Sequence, residues 1–363
     1  IFLMRAKASG TMDLSSCTWM VRELGEAVSC VHLLDDNSIL VGGWDGKVKC
    51  WSDEGDLIWE SQTPNRVSSI IVKDNFVYTT SGLHLVCMTH DSGEIVWEIA
   101  LEGSADAVVA TDECLLASSS VYDIEHNDFI ESAVWAISFD GNVLETHRMD
   151  ERPWTFHSYK HGAIAGLGRP MNGYLILDQK GGIVEQNTEW ESPTICSTKG
   201  STPLFGLANG CVYSIDGALL KTMDAAVSNI IQQSGGLLLS DDRGYLEFYK
   251  EGVQWECKGD EIGNLCAGFD VQGNPSCWVA RWKGSEGEVL VHSIIDGAVL
   301  ASLDGPRVHD MTSNLHRVAL GCDSGQVYVW EKKLFQRRLT QPMQQESDAA
   351  RSAMLEKLRS LRK

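Results

Sequence analysis

The chain has no long apolar run, and no window reaches the length of a transmembrane helix. It has no CxxC and no adjacent cysteine pair, although it holds 11 cysteines. That odd count at irregular spacing gives no disulfide or zinc framework. Cys30, Cys50, Cys87, Cys114, Cys211 and Cys322 sit inside apolar strand patterns, as reduced, buried thiols do. No Asn-x-Ser/Thr acceptor occurs, since Asn274-Pro275-Ser276 is excluded by its proline. There is no GKS/T phosphate loop, no HExxH and no GxSxG, and Gly166-x-Gly168 runs into Arg169-Pro170 rather than completing a dinucleotide fingerprint. Nothing demands an enzyme. Positive charge is also scarce: 30 Lys+Arg stand against 50 Asp+Glu, a net charge of -20. A surface so acidic repels nucleic acid and anionic membranes as a whole.

The first ten residues, IFLMRAKASG, place four apolar residues ahead of the first basic one, the reverse of a signal peptide. A cytoplasmic location is therefore expected. The chain opens on Ile, so Met4 and Met12 stand as alternative starts, and residues 1–16 are taken as a lead-in, disordered or mis-started.

What is present is a repeat. A turn glycine recurs at Gly55, Gly93, Gly141, Gly181, Gly217, Gly252 and Gly297, with Lys333 in the last unit, at steps of 35 to 48 residues. Glycine suits such turns because it accepts positive φ at no steric cost. A second column is independent of the first. Each unit opens on a short strand: AVSCV, RVSSI, ADAVV, PWTFH, SPTIC, AVSNI, IGNLC, RVHDM. Short strands at this period match blades that bury their faces only by stacking in a ring. The expected fold is all-β, an eight-bladed β-propeller over 17–341, with seven blades as the alternative. Cys17–Leu24, with Trp19, has no blade of its own and is expected to close the ring as the last blade's outer strand. The last unit's own candidate, FQRRLTQP, is basic and lacks the tryptophan. Beyond it, 342–363 is a basic segment with helical spacing at Ala350, Met354, Leu358 and Leu361. That short C-terminal helix is expected to dock on the acidic disc or to hold an anionic partner.

The stretch VGGWDGKVKCWSDEG (41–55) and LGCDSGQVYVWEKK (320–333) resemble the inner hairpins of WD-repeat blades, and HDSGEIVW (90–97) with LIWE (57–60) resembles quinoprotein-like, PQQ-like repeats. The resemblance implies a disc around a central channel. No Gly-His pair opens any unit, and only Trp51-Ser52-Asp53 approaches the Trp-Asp ending. There is no adjacent Cys-Cys pair of the kind that accompanies the quinone, so no cofactor is expected. The WDGK of residues 44–47 is taken as turn geometry, not as a site.

Two sets of candidate residues stand out. Ser29, Ser68, Asp106, Thr155, Thr194, Ser228 and His309, with Gly263 in unit seven, head the innermost strands near one channel mouth. They form either a ligand ring or small residues fitted to a crowded site. The insertion 118–132 carries Asp123, Glu125, His126 and Asp128. Asp123, Glu125 and Asn127 alternate as calcium ligands do, but Asp128 replaces the turn glycine and Val134 the bidentate glutamate, so no metal is expected. Trp154 and His157, with Arg169, have the composition of an interface hot spot. The reading is a non-catalytic, monomeric scaffold for a protein or peptide; a quinoprotein-like enzyme or small-ligand sensor using the channel is the alternative.

Overall fold

The computed structural model describes residues 11–284, 286–305 and 307–340. It is an eight-bladed propeller with one short C-terminal helix, seven sheets having four strands and one having five. In each blade the first strand is innermost. Blades one to eight begin with Val28–Leu33, Val67–Lys73, Ser104–Ala110, Arg152–Tyr159, Thr194–Ser197, Val227–Gln233, Glu261–Ala267 and Val308–Ser313. Each of these packs on the next, and the last packs on the first. Second strands such as Ile39–Gly43, Gly162–Gly168 and Arg317–Cys322 are buried throughout, because both their faces lie between blades. All eleven cysteines are free, and burial pushes the Cys50 thiol up to about 12.

The ring closes with chain from the N-terminal side. Thr18–Glu23 pairs antiparallel with Gln326–Glu331 as the outer strand of blade eight, Val21 facing Tyr328. Just before it, Met12–Asp13 adds a parallel fifth strand to blade seven against Val299–Gly305, and Leu14–Cys17 forms one 3-10 turn. FQRRLTQP is not a strand. The outer edge of blade eight is already occupied, so the chain after Glu331 has nothing to pair with and coils into a helix, Lys332–Thr340. The Glu331 carboxylate accepts from the Lys333 and Leu334 N–H groups, capping it. Phe335 is its buried anchor, set among Phe269, Trp278 and Trp330. The segment 342–363 lies outside the described residues.

Neighbouring blades are locked by a recurring pair. Trp59, Trp97 and Trp255, each third in its outer strand, donate Nε1–H to carbonyls of the next blade: His90, Phe139 and Ile294, at 2.7–2.9 Å. Each ring lies on the next blade's turn glycine, Gly93, Gly141 or Gly297. The other blades lack this tryptophan; blade four has Glu185 and blade five Lys221 in its place, and the following turn glycines, Gly217 and Gly252, face open space. A cleft of about 650 Å³ results between blades five and six, lined by Leu204, Leu219, Leu220, Leu237 and Tyr249 among others.

Candidate functional site

Every innermost strand slips register at its second or third residue. In blade one Val28 faces Gly43 and Cys30 faces Gly42, leaving Ser29 extra. The same bulge leaves out Ser68, Asp106, Trp154, Ile195, Ser228, Gly263 and His309. A bulge bends a strand and re-aims one side chain, so these eight residues form a ring at one mouth of the channel. Six of them are legible in the sequence column. In blades four and five the bulged residues are Trp154 and Ile195, one place from the expected Thr155 and Thr194. Those two threonines instead serve the backbone: Thr155 Oγ1 accepts the Gly166 N–H, and buried Thr194 donates to the Gly173 carbonyl. Ser29 donates to the Gly42 carbonyl, and Ser228 bonds Ser240. The hydroxyl members therefore satisfy polar groups of a crowded wall.

In a meander the turn between second and third strands lies at the same end as the start of the first. The insertion and the Trp44 turn thus share this face with the bulges. The position two before the bulge reads Ala27, Arg66, Ser104, Arg152, Pro193, Ala226, Glu261, Arg307. Each of its three arginines stacks on a ring. Arg66 lies 3.8 Å over Trp44, whose ring is 5.7 Å from that of His309. Arg152 lies 3.4 Å over Phe129 and 4.0 Å over Trp154. Arg307 lies 4.8 Å over Trp282. Trp44 is 44% exposed and Trp154 39%, so these rings pack from below and stay open above. Residues 44–47 form a turn, as expected, with Gly46 at φ +87°. Trp44 bridges blades one, two and eight, a contact between units that spacing within a unit does not reveal.

Asp106 stands between Arg66 and Arg152. Burial raises its pKa, opposed by a 2.5 Å hydrogen bond from Ser120 and by both guanidinium groups. The insertion is a hairpin of Leu115–Asp123 and Asp128–Ile137. Asp123 accepts from the Glu125 N–H and holds His126 at 2.6 Å; Asp128 pairs with Arg169 at 3.2 Å. The Asp123 and Asp128 carboxylates are thus engaged with the His126 ring and the Arg169 guanidinium. Among the described residues no cluster of three or more His, Cys, Asp or Glu could hold a metal. Ile124 at the tip is 86% exposed, and Leu83, Tyr122, Ile130 and Met171 are also exposed on this face.

His157 does not belong to this patch. It lies three residues further along the channel wall, beside Ser197 and Lys199; burial first and the Lys199 charge second bring its pKa to about 4. The same ammonium acts on His32 of blade one and Asp310 of blade eight, so Lys199 projects toward the channel. At the mouth, bulge residue Gly263 has no side chain, leaving a recess of about 160 Å³ walled by Glu261, Trp282, Arg307 and His309. His309 is hydrogen-bonded to Asp323, not to Asp106.

No protein-family profile matches the chain, and no curated protein does. Solved structures do share its fold. Sqt1 of Saccharomyces cerevisiae is 13% identical over 88% of this chain and 99% of its own, with a TM-score of 0.70. BamB from Moraxella catarrhalis is 12% identical over 86% and 99%, with a TM-score of 0.65. The C-terminal WD40 domain of Sif2 is 10% identical over 86% and 98%, with a TM-score of 0.62. The fold that the chain shares with them is the β-propeller. At these identities the likeness is one of fold.

Proposed function

We propose that this protein is a non-catalytic, cytoplasmic, monomeric scaffold that docks a protein or peptide on the face bearing the bulge ring and the insertion 118–132. The observation that carries this is the set of guanidinium groups stacked on half-exposed rings: Arg66 on Trp44, Arg152 on Phe129 and Trp154. Tryptophan and arginine dominate binding hot spots because they bring large rigid area and several donors at little entropic cost. Propeller folds host many activities, so the fold alone decides nothing. The alternative, a quinoprotein-like enzyme or ligand sensor, calls for a deep pocket with converging titratable groups. The recess by Gly263 is small, and the larger cleft between blades five and six mixes four leucines with polar residues such as Gln232, Gln233, Lys250 and Glu251. No helix among the described residues is long and apolar enough to cross a membrane.

The test is capture of partners from a lysate of the source organism with the wild-type chain, Trp44→Ala/Trp154→Ala, and Leu315→Ala on the opposite face. Capture is expected to survive the last change and to fall at least tenfold with the first pair. Equal capture by all three proteins overturns the proposed face.

A further inference from the structure

We infer that Arg66 and Arg152, on either side of Asp106, select an acidic peptide segment; this rests on the docking reading above and specifies its partner. The starting point is how charge is paired on this face. Arg148 is taken by Glu102 and Glu131, Arg169 by Asp128, Lys47 by Asp45, and His309 by Asp323. Arg66 and Arg152 enter no ion pair among the described residues and rest on rings instead. Arg152 Nε is shut away from water with no hydrogen-bond partner. A buried donor left unmade costs free energy, and a guanidinium costs more than a neutral donor.

Asp106 is the carboxylate whose field both arginines feel, and Ser120 already donates to one of its oxygens. Two cations thus share one carboxylate and are under-paired, while the neighbouring Arg148 is fully taken by its two carboxylates. The guanidinium fork matches a carboxylate or phosphate in two parallel hydrogen bonds, and stacking on Trp44, Phe129 and Trp154 holds each fork in place before a partner arrives. Around the arginines lie exposed Leu83, Tyr122, Ile124 and Met171. The surface thus fits an acidic side chain flanked by apolar ones. The chain's net charge of -20 opposes this at long range. Beyond a Debye length of ~8 Å at physiological salt that opposition is screened, whereas contact at the arginines is not.

Fluorescence anisotropy would test this with labelled peptides of one length and apolar content, whose charged positions are Glu, phosphoserine, Gln or Lys, beside a single-stranded RNA of matching charge. The Glu peptide is expected to bind better than the Gln and Lys peptides. Arg66→Gln and Arg152→Gln are each expected to weaken it roughly tenfold. Asp106→Asn, which removes the competing carboxylate, is expected to tighten it. That gain cannot arise from misfolding and guards against a loss caused by damage. Preference for phosphoserine over Glu assigns the anion as phosphate and still supports the inference. Tightest binding by the Lys peptide, weaker Glu-peptide binding in Asp106→Asn, or stronger binding of the RNA overturns it. Lys-peptide binding lost in Trp44→Ala/Trp154→Ala would leave the docking face standing while removing its acidic selectivity. If none of these peptides binds, the acidic selectivity fails, and the capture experiment separately decides the face.

Discussion

At the scale of single residues, the lock between blades depends on what a glycine omits. Gly93 has φ +69°, and a Cβ built there would lie 2.3 Å from the Trp59 ring. Gly93→Ala is expected to lower unfolding free energy in urea by about 1–3 kcal/mol through overpacking and backbone strain together. Asp310 offers a test by pH. It accepts from the N–H groups of Val31 and Met311, yet burial raises its pKa to about 6 against those bonds and the Lys199 charge. Its folded value lies above its unfolded one. The ionised group therefore costs stability at neutral pH, and that cost is relieved as pH falls through about 6 toward the ordinary carboxylate range. Asp310→Asn has no such relief, so its melting temperature relative to wild type is expected to drop between pH 7 and pH 4; a constant difference would remove the assignment. The residues of the mouth are only partly legible in the sequence. Ser29, Asp106 and His309 stand out because they are polar residues inside short apolar strands. Trp44 and Arg66 do not, because their partnership crosses from one unit to the next.

Among the elements, the boundary between blades five and six is held by charge and not by a tryptophan. Lys221 stands where blades one, two and six place tryptophan, and it pairs at 3.0 Å with Glu247, whose side chain is almost fully buried. Lys221→Ala would leave that carboxylate uncompensated, with an expected loss of about 3 kcal/mol by chemical denaturation. If Lys221→Ala/Glu247→Gln restores most of it, the cost is one of charge and not of lost packing. Strands are legible in this sequence, and the C-terminal helix is much less so. Alternation marks the strands and recurring turn glycines mark seven of the eight units, since each strand must present one face to a neighbouring blade. The residues of Lys332–Thr340 look like a candidate strand because their conformation is decided remotely: Thr18–Glu23 fills the edge they would have used. A vacancy taken by a distant segment leaves no mark on the local pattern.

For the whole molecule, the repeat makes the architecture readable, because a blade cannot be stable alone and eight copies must close on themselves. Function is less readable, since recognition depends on the places where copies differ: Gly263 for a side chain, Trp154 for a small residue, three arginines among eight equivalent positions. Closure also carries a consequence for synthesis. The strand Thr18–Glu23 leaves the ribosome ahead of all eight blades, but its partner, Gln326–Glu331, emerges roughly three hundred residues later. Until then the nascent chain carries an unpaired edge bearing Trp19 and Val21. Completion of the last blade is thus the step that retires the chain's longest-lived sticky end.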